Sequence, residues 1–130
     1  METRSFTELT VWKKAHQFVL DVNKYSAFFP SEELYGLTSQ LRRAAVSIAA
    51  NIAEGYKRKG KKDKLRFYNF AQSSLEECRY YLILSRDLKF GENNDMMNNL
   101  EEVSKMLESY SIAIRKSMSI TNKMLFYLFY

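Results

Sequence analysis

Residues 41–64 read LRRAAVSIAANIAEGYKRKGKKDK, and this stretch decides the fold. Its first half combines small and apolar residues with a few isolated polar ones, whereas its second half is almost entirely cationic. Apolar residues that recur every three or four positions predict a helix with a buried face. The stretch therefore predicts a helix at the centre of a helical bundle, followed by a basic loop that is available to an anionic partner.

Two apolar faces are expected on this helix. One is a continuous stripe at about 100° per residue that we assign to the core of the bundle, formed by Leu37, Leu41, Ala44, Ala45, Ile48 and Ile52. The other is a small outer patch of Val46, Ala50 and Ala53, where a helix of an isolated bundle should be charged. Small side chains let another helix approach closely, so this patch predicts an oligomer interface. The alternative is that alanine, the best helix former, is simply tolerated at exposed positions.

A narrow polar stripe runs between these two faces and consists of Gln40, Arg43, Ser47, Asn51 and Glu54. We expect a network of hydrogen bonds and ion pairs here that fixes the register of the helices, because buried polar groups need partners. Glu76 and Glu77 on the following helix are candidate partners for Arg43. The alternative is a ligand-binding or catalytic role, since charges in unusual surroundings sometimes mark functional sites.

Three further helices are predicted from the spacing of apolar and helix-ending residues. The predicted helices span about residues 7–28, 37–58, 63–90 and 94–118. Sustained alternation of apolar and polar residues is absent from the sequence, so no strand is predicted. Short connections join successive helices, which favours an all-α fold with an antiparallel up-down four-helix bundle over residues 1–118.

Local details refine this outline. The period of the first helix places one apolar face on Leu9, Trp12, Val19 and Val22. Pro30 ends that helix, and residues 31–33 predict a capped single turn. Gly91 is the expected residue just past the end of the third helix.

Residues 119–130 form an apolar, aromatic C-terminal tail in this interpretation. The last seven residues, 124–130, are all large and apolar or aromatic, which is unfavourable if they stay in water. Ser119, Thr121 and Asn122 are expected to weaken the helix before them. We expect the tail to dock within an oligomer. Membrane contact is the weaker alternative, because the segment is too short to span a bilayer.

Composition limits the class of protein. The chain has 130 residues, of which 46% are hydrophobic and 27% charged, as in a globular protein with a single domain. Cys78 is the single cysteine, so no internal disulfide is possible and a reducing compartment is favoured. No signal peptide and no apolar run of membrane-spanning length are recognised. These features predict a cytoplasmic protein with no membrane partner.

Cationic residues concentrate between residues 57 and 66. Seven cations and one aspartate give this segment a net charge of +6, against +5 for the whole chain. Such a density predicts a nucleic-acid-binding site, formed by Lys57, Arg58, Lys59, Lys61, Lys62, Lys64 and Arg66. Tyr56, Phe67 and Tyr68 flank the segment and are able to stack on bases, although their helical spacing favours the core. The alternative is an ordinary solvated turn.

Catalytic signatures are missing from the sequence. His16 is the single histidine and lies beside an apolar face, and Cys78 is expected to be a small buried hydrophobe. The chain contains no Gly-rich phosphate loop, nucleophile elbow or Glu-x-x-His pair. We therefore expect a protein that is not an enzyme and that uses no metal or cofactor.

Four stretches of the sequence resemble a known family. They are FTELTVWKKA at residues 6–15, ELYGLTSQLRRAA at 33–45, SIAANIAEG at 47–55 and FYNFAQSSLEE at 67–77. In these stretches the chain is similar to the four-helix bundle protein family, also called the 23S rRNA intervening-sequence proteins. The resemblance extends over about residues 6–116.

This resemblance implies a small bacterial four-helix bundle that assembles as a homopentamer. Some members are encoded within insertions in ribosomal RNA genes, and a related accessory protein of diversity-generating retroelements binds nucleic acid and a reverse transcriptase. For most members the cellular role is unassigned. The expected partners are therefore further copies of the chain, RNA or DNA, and a nucleic-acid-processing protein. The expected function is a non-enzymatic accessory that binds nucleic acid through a basic loop, and the alternative is a protein-interaction scaffold with no nucleic-acid role.

Overall fold

Four α-helices and no strand make up residues 3–129, the part of the chain that the computed structural model describes. The helices are α1 (Thr10–Ser26), α2 (Ser39–Lys57), α3 (Lys61–Asp87) and α4 (Asn94–Phe129). Beyond residue 119, the described side chains are those of Met124 and Leu128. None of the helices in this range combines enough length with enough apolar sequence to cross a lipid bilayer. The all-α class expected from the sequence is confirmed.

Helix α2 carries the centre of the core. Its predicted apolar stripe is confirmed, because every member is buried, including Leu41, Ala45, Ile48 and Ile52 with no exposed surface. Residues of α1, α3 and α4 complete the same apolar cluster, among them Phe18, Leu75 and Leu107. Full burial of aliphatic side chains is the main favourable term in folding, so this stripe of α2 makes a large contribution to the stability of the bundle.

The core-facing side of α1 differs from the predicted one. Val11, Ala15, Phe18 and Val22 are buried, whereas Leu9, Trp12 and Val19 are half-buried at the edge of the core. Both sets recur with the helical period, so periodicity alone does not select between them. The helix also begins later than predicted, at Thr10, after a short 3-10 turn over Phe6–Glu8.

The connection from α1 to α2 is ordered by local hydrogen bonds. The predicted single turn is confirmed as a 3-10 turn over Ser31–Glu33. The chain then bends at Gly36, whose φ and ψ of −106° and −112° are not helical. The Glu33 carboxylate accepts a hydrogen bond from the Leu37 amide at 3.2 Å. This bond satisfies one of the free amide groups near the start of α2.

The end of α3 also corrects the prediction, since the residue just past the cap Leu88 is Lys89 (φ 65°), and Gly91, which also has a positive φ (149°), lies two residues further along. The Phe90 amide donates to the Ser85 carbonyl at 2.9 Å, and the Lys89 amide donates to the Arg86 carbonyl at 2.9 Å. These two bonds form a Schellman motif, in which the residue after the cap must adopt positive φ. The motif stops α3 at Asp87 and directs Phe90 back toward the core.

A buried polar cluster holds α1 against the connection between α3 and α4. The Tyr25 hydroxyl donates to the Gly91 carbonyl at 2.8 Å and lies 3.0 Å from the Ser85 hydroxyl. The Asn93 side-chain amide donates to the Leu82 carbonyl at 2.8 Å and to the Tyr25 hydroxyl at 3.1 Å. Such a network restrains three elements at once, because each buried polar group depends on its partners.

The fourth helix is longer than predicted and continues through the tail to Phe129 instead of ending near Met118. Ser, Thr and Asn lower helix propensity by at most about 0.7 kcal/mol each, so without Gly or Pro they do not end a helix. Among the described side chains, Ser111 is the last buried residue of α4 and Ile114 is the last that packs against the core cluster. Met124 and Leu128 are 60% and 72% exposed. Tyr130, the last residue of the predicted tail, lies outside the described residues.

Contacts along α3 and α4 define how these two helices pair. Arg79 forms an ion pair with Glu101 at 3.0 Å, and the Gln72 side chain donates to the Ser104 carbonyl at 3.0 Å. Between these two contacts along α3 lies Cys78, which is fully buried, as predicted. Burial, with a smaller effect of Glu77, raises the pKa of the Cys78 thiol to about 12. The thiol is therefore neutral at physiological pH and behaves as a small apolar side chain.

Candidate nucleic-acid interface

The basic segment is divided between two helices and a short connection. Lys57 is the last residue of α2, residues 58–60 connect the helices, and Lys61 is the first residue of α3. The expected basic loop is thus only three residues long, and five of its seven cations are helical. The correction has a simple cause, because Lys and Arg are good helix formers and Gly60 has the extended conformation (φ −78°, ψ 138°) of a helix N-cap.

The start of α3 is an unfavourable place for positive charge. Lys61, Lys62 and Lys64 lie in its first turn, where the exposed amide groups already create a partial positive charge. Asp63 is the single acidic residue of that turn. Folding alone does not account for Lys61 and Lys62 at this end of the helix, which favours a role in contact with an anion for these two lysines.

Lys64 has a structural role. Its ammonium group donates to the Gly55 carbonyl at 3.0 Å and to the Tyr56 carbonyl at 2.8 Å. These carbonyls belong to the last turn of α2, where carbonyl groups lack the usual helical partner, and that of Gly55 also accepts a bond from the Arg58 amide at 3.3 Å. Burial lowers the pKa of Lys64, which agrees with its half-buried position. Lys64 therefore caps α2 and is not available to an external ligand.

The two arginines of the segment converge on one aromatic ring. Arg58 pairs with Glu54 at 3.0 Å, and its guanidinium carbon lies 4.5 Å from the centre of the Phe67 ring. Arg66 pairs with Asp63 at 3.4 Å, and its guanidinium carbon lies 5.0 Å from the same centre. Both arginines are held at the protein surface by a carboxylate and by a cation–π contact.

The remaining four cations are exposed. Among residues 3–129, Lys57, Lys59, Lys61 and Lys62 have neither a hydrogen bond from the side chain nor an ion pair. They flank Gly60 on both sides within six positions of the chain. The structure thus separates seven candidate ligand-binding residues into three with partners in the protein and four without.

Aromatic residues beside the basic segment have three different environments. Tyr68 is buried against Gly55, and the Tyr56 hydroxyl donates to the Thr3 carbonyl at 2.9 Å, so neither ring is free to stack on a ligand. Phe67 is half-buried beneath the arginines. Phe70, which the sequence analysis did not select, is 44% exposed, and its ring centre lies 5.7 Å from that of Phe67. Its four-residue spacing from Arg66, which places both residues on one side of α3, is the sequence signal that could have identified it.

The polar stripe of α2 is only partly connected. The Ser47 and Ser74 hydroxyls lie 2.7 Å apart, and the Asn51 side-chain amide donates to the Ser47 carbonyl at 2.9 Å. The contact between the two hydroxyls joins α2 to α3, whereas the Asn51 bond lies within α2. Glu54, the last member of the stripe, pairs with Arg58 of the basic segment.

The predicted ion pair of Arg43 is not formed in the described part of the chain. Glu76 instead pairs with Arg79 at 3.0 Å, because Arg79 is one turn away on the same helix and within easy reach. Hydrogen bonding to Glu76 raises the pKa of Arg79. Arg43 lines an open cleft of about 290 Å³ with Gln40, Glu77 and Tyr81. Within residues 3–129, no hydrogen bond joins these cleft side chains to each other.

The outer patch of α2 lies in an apolar groove between α1 and α2. Val46, Ala50 and Ala53 line this groove of about 370 Å³ together with Phe6, Trp12, His16, Val19 and Ala49. His16 stacks on Trp12 with ring centres 4.9 Å apart, so the single histidine extends the aromatic wall of the groove. Val46 is 51% exposed. No group of three or more His, Cys, Asp and Glu side chains that could hold a metal ion occurs in the described range.

Comparisons with known proteins place this fold in a family. A crystal structure of a protein of unknown function from the S23 ribosomal protein family of Bacteroides thetaiotaomicron is similar, with a TM-score of 0.72 and 24% sequence identity. The match covers 78% of this chain and 98% of that chain, and it shows a shared fold. No curated protein matches the chain. The family model described as 23S rRNA-intervening sequence protein matches residues 7–109. The chain therefore belongs to the 23S rRNA-intervening sequence protein family.

Proposed function

We propose that this protein is a non-enzymatic nucleic-acid-binding accessory that contacts phosphate groups through Lys57, Lys59, Lys61 and Lys62. The observation that carries the proposal is the set of four exposed, unpaired lysines at the junction of α2 and α3. Lysine ammonium groups bind phosphate oxygens, and binding releases the cations condensed on the nucleic acid. We also propose a cytoplasmic location, which the single, buried Cys78 and the consequent lack of an internal disulfide support.

The local electrostatics support phosphate binding at this place. The lysines at the start of α3 add to the positive end of the helix, where backbone amide groups favour anions. The carboxylates of Glu54 and Asp63, which lie close to these lysines in the chain, are already paired with Arg58 and Arg66. The free lysines therefore create an uncompensated positive field over the junction, and such a field attracts polyanions.

A salt titration tests this proposal. Binding of the full chain to short labelled duplex DNA and to single-stranded RNA is measured by fluorescence anisotropy between about 50 and 200 mM salt. Four phosphate contacts predict slopes of log K against log salt of about −3.6 for the duplex and about −2.8 for the single strand, per subunit that contacts the ligand. Absence of binding at the lowest salt concentration would remove the proposal and leave the scaffold alternative.

We further propose the antiparallel up-down arrangement of the four helices. Three contacts between α3 and α4 support it: Arg79 with Glu101, Gln72 with Ser104, and Tyr68 with Tyr110. The residue numbers decrease along α3 while those of the contacting residues increase along α4, as they do in an antiparallel pair. In this arrangement α4 is level with the start of α3 near residue 117. The four free lysines where α2 meets α3 form what we call the basic junction. The last 12 residues of α4, at 1.5 Å each, then extend past this basic junction by about 18 Å.

The third element of the proposal is self-assembly into a homopentamer. The exposed end of α4, represented by Met124 and Leu128 one turn apart, is the proposed occupant of the apolar groove on the next copy. Ala50 and Ala53 support this docking, because small side chains admit a close helix. A contact between two different surfaces repeats from copy to copy and closes a ring when the rotation permits. A ring also places several basic junctions on one particle and strengthens binding.

Assembly is tested by sedimentation velocity. The wild-type chain should sediment as a closed oligomer, and Val46→Glu in the groove or Leu128→Glu on α4 should each release folded monomers, since a charge in either surface opposes burial. Tyr80→Glu, which changes an exposed aromatic residue outside both surfaces, is the matched control and should remain assembled. A wild-type monomer at high concentration, or an oligomer that both variants leave intact, would contradict the proposed contact.

A further inference from the structure

A line of exposed residues leads along α3 away from the basic junction. Lys62, Arg66 and Phe70 follow one another at four-residue intervals, so they lie on the same side of the helix. All three side chains are exposed. Eight residues of helix separate the first from the last, a rise of about 12 Å. A ligand held at Lys62 is thus able to reach Phe70 along a single helical face.

The aromatic end of this line has the features of a stacking platform. The Arg66 guanidinium carbon lies 5.9 Å from the centre of the Phe70 ring, and the Phe67 ring meets Phe70 nearly edge to face at 86°. Phe67 and Arg66 therefore support Phe70 from the protein side while leaving 44% of it exposed. An apolar ring presented next to a guanidinium group offers stacking and cation–π contacts to a nucleobase.

We infer that Phe70 and Arg66 form a binding site for an unpaired nucleobase, so that the preferred ligand is single-stranded or looped nucleic acid rather than continuous duplex. The inference rests on the proposed function and specifies its substrate class. In a continuous duplex the base faces are covered by their neighbours, and a protein ring reaches them only after costly unstacking. In a single strand or loop the faces are free, and every base offers one.

The test uses three probes with the full chain: a single-stranded RNA, a strand of the same length and charge that lacks its bases, and a duplex. The wild type should bind the single-stranded RNA about 5- to 150-fold more tightly than the abasic strand, the range expected for stacking of one base. Phe70→Ala should remove this difference and leave the affinity for the abasic strand and for the duplex unchanged. Phe70→Trp should retain the difference, because the larger ring also stacks.

Tyr80→Ala is the matched control, since Tyr80 is an exposed aromatic residue on the same helix far from the junction. This variant should bind all three probes like the wild type. If the wild type binds the RNA and the abasic strand equally, and Phe70→Ala changes nothing, the stacking site is refuted while phosphate binding stands. If the wild type binds none of the probes, the proposed function fails and the stacking site fails with it.

Discussion

Replacing Lys57, Lys59, Lys61 and Lys62 together by glutamine should reduce affinity for duplex DNA by between three and four orders of magnitude, about 3.6 in log K, at 0.1 M salt. This value follows from four phosphate contacts, because their contribution to log K vanishes near 1 M salt and grows by about 3.6 for a tenfold dilution of the salt. The slope of log K against log salt should approach zero in the variant. Each of the four lysines is exposed and unpaired in the described structure, so no contact within the protein is lost.

Stability separates this result from unfolding. Circular dichroism and urea unfolding of the variant should match the wild type, since removing the charges of Lys61 and Lys62 relieves repulsion with the positive end of α3. Lys64→Ala should show the reverse pattern: it loses two hydrogen bonds to the end of α2 and lowers stability by about 1–3 kcal/mol.

A charge-matched control completes the experiment. Four exposed lysines elsewhere are replaced by glutamine, so that the net charge changes equally: Lys13, Lys24, Lys89 and Lys105. This control should retain the affinity and the salt dependence of the wild type. Equal losses in both variants would mean that net charge, not the junction, attracts the nucleic acid. A protein partner that is retained after nuclease treatment and after the junction change would favour the scaffold alternative.

Gly55→Ala should lower the free energy of unfolding by about 1–3 kcal/mol, the range of overpacked core substitutions. A β-carbon at this position would lie 2.6 Å from Cε1 and 2.8 Å from Cδ1 of Tyr68. Both distances are well inside van der Waals contact, and the Tyr68 ring is buried, so it has little room to move. In an unobstructed helix the same change would stabilise by about 1 kcal/mol through helix propensity. The sign of the measured change therefore reports the contact.

Gly60→Ala is the control, because a β-carbon there meets no atom within 4 Å. Its effect should stay below about 1 kcal/mol, as a weaker N-cap is offset by a less flexible unfolded chain. A double-mutant cycle with Tyr68→Leu, followed by urea unfolding, should show that the cost of Gly55→Ala falls when the ring is removed. A Gly55→Ala variant as stable as the wild type would show that the ring yields without cost.

Predictions from the sequence were most accurate where one helix determines the outcome. The core stripe of α2, the burial of Cys78 and the turn at Ser31–Glu33 depend on residues close together in the chain, and all three were confirmed. The predicted end of α4, near Met118, was wrong, also for a local reason. Weak helix formers shift a local equilibrium by small amounts, and they do not act as a stop signal when Gly and Pro are absent.

Errors arose where the partner of a residue lies on another helix or competes with a nearer one. The predicted buried face of α1 was wrong because two stripes of residues fit the same helical period. Only packing against α2 and α4 determines that Phe18 is buried and Trp12 is half-buried. Glu76 was assigned to Arg43, although Arg79 lies one turn away on the same helix. The conformation of Lys89 was missed because the Schellman motif depends on where α3 stops.

The amino-acid sequence by itself determined the all-α class, the central helix and the position of the positive charge, because helical period and composition are properties of the chain alone. Only the tertiary structure decided which of the seven cations are free. Lys64 donates to two carbonyls at the end of α2, Arg58 and Arg66 lie over the Phe67 ring, and the other four lysines are exposed to solvent. The physical reason is distance. A hydrogen bond or a cation–π contact forms over a few ångströms, and those separations are set by how α2 and α3 pack, not by the order of residues.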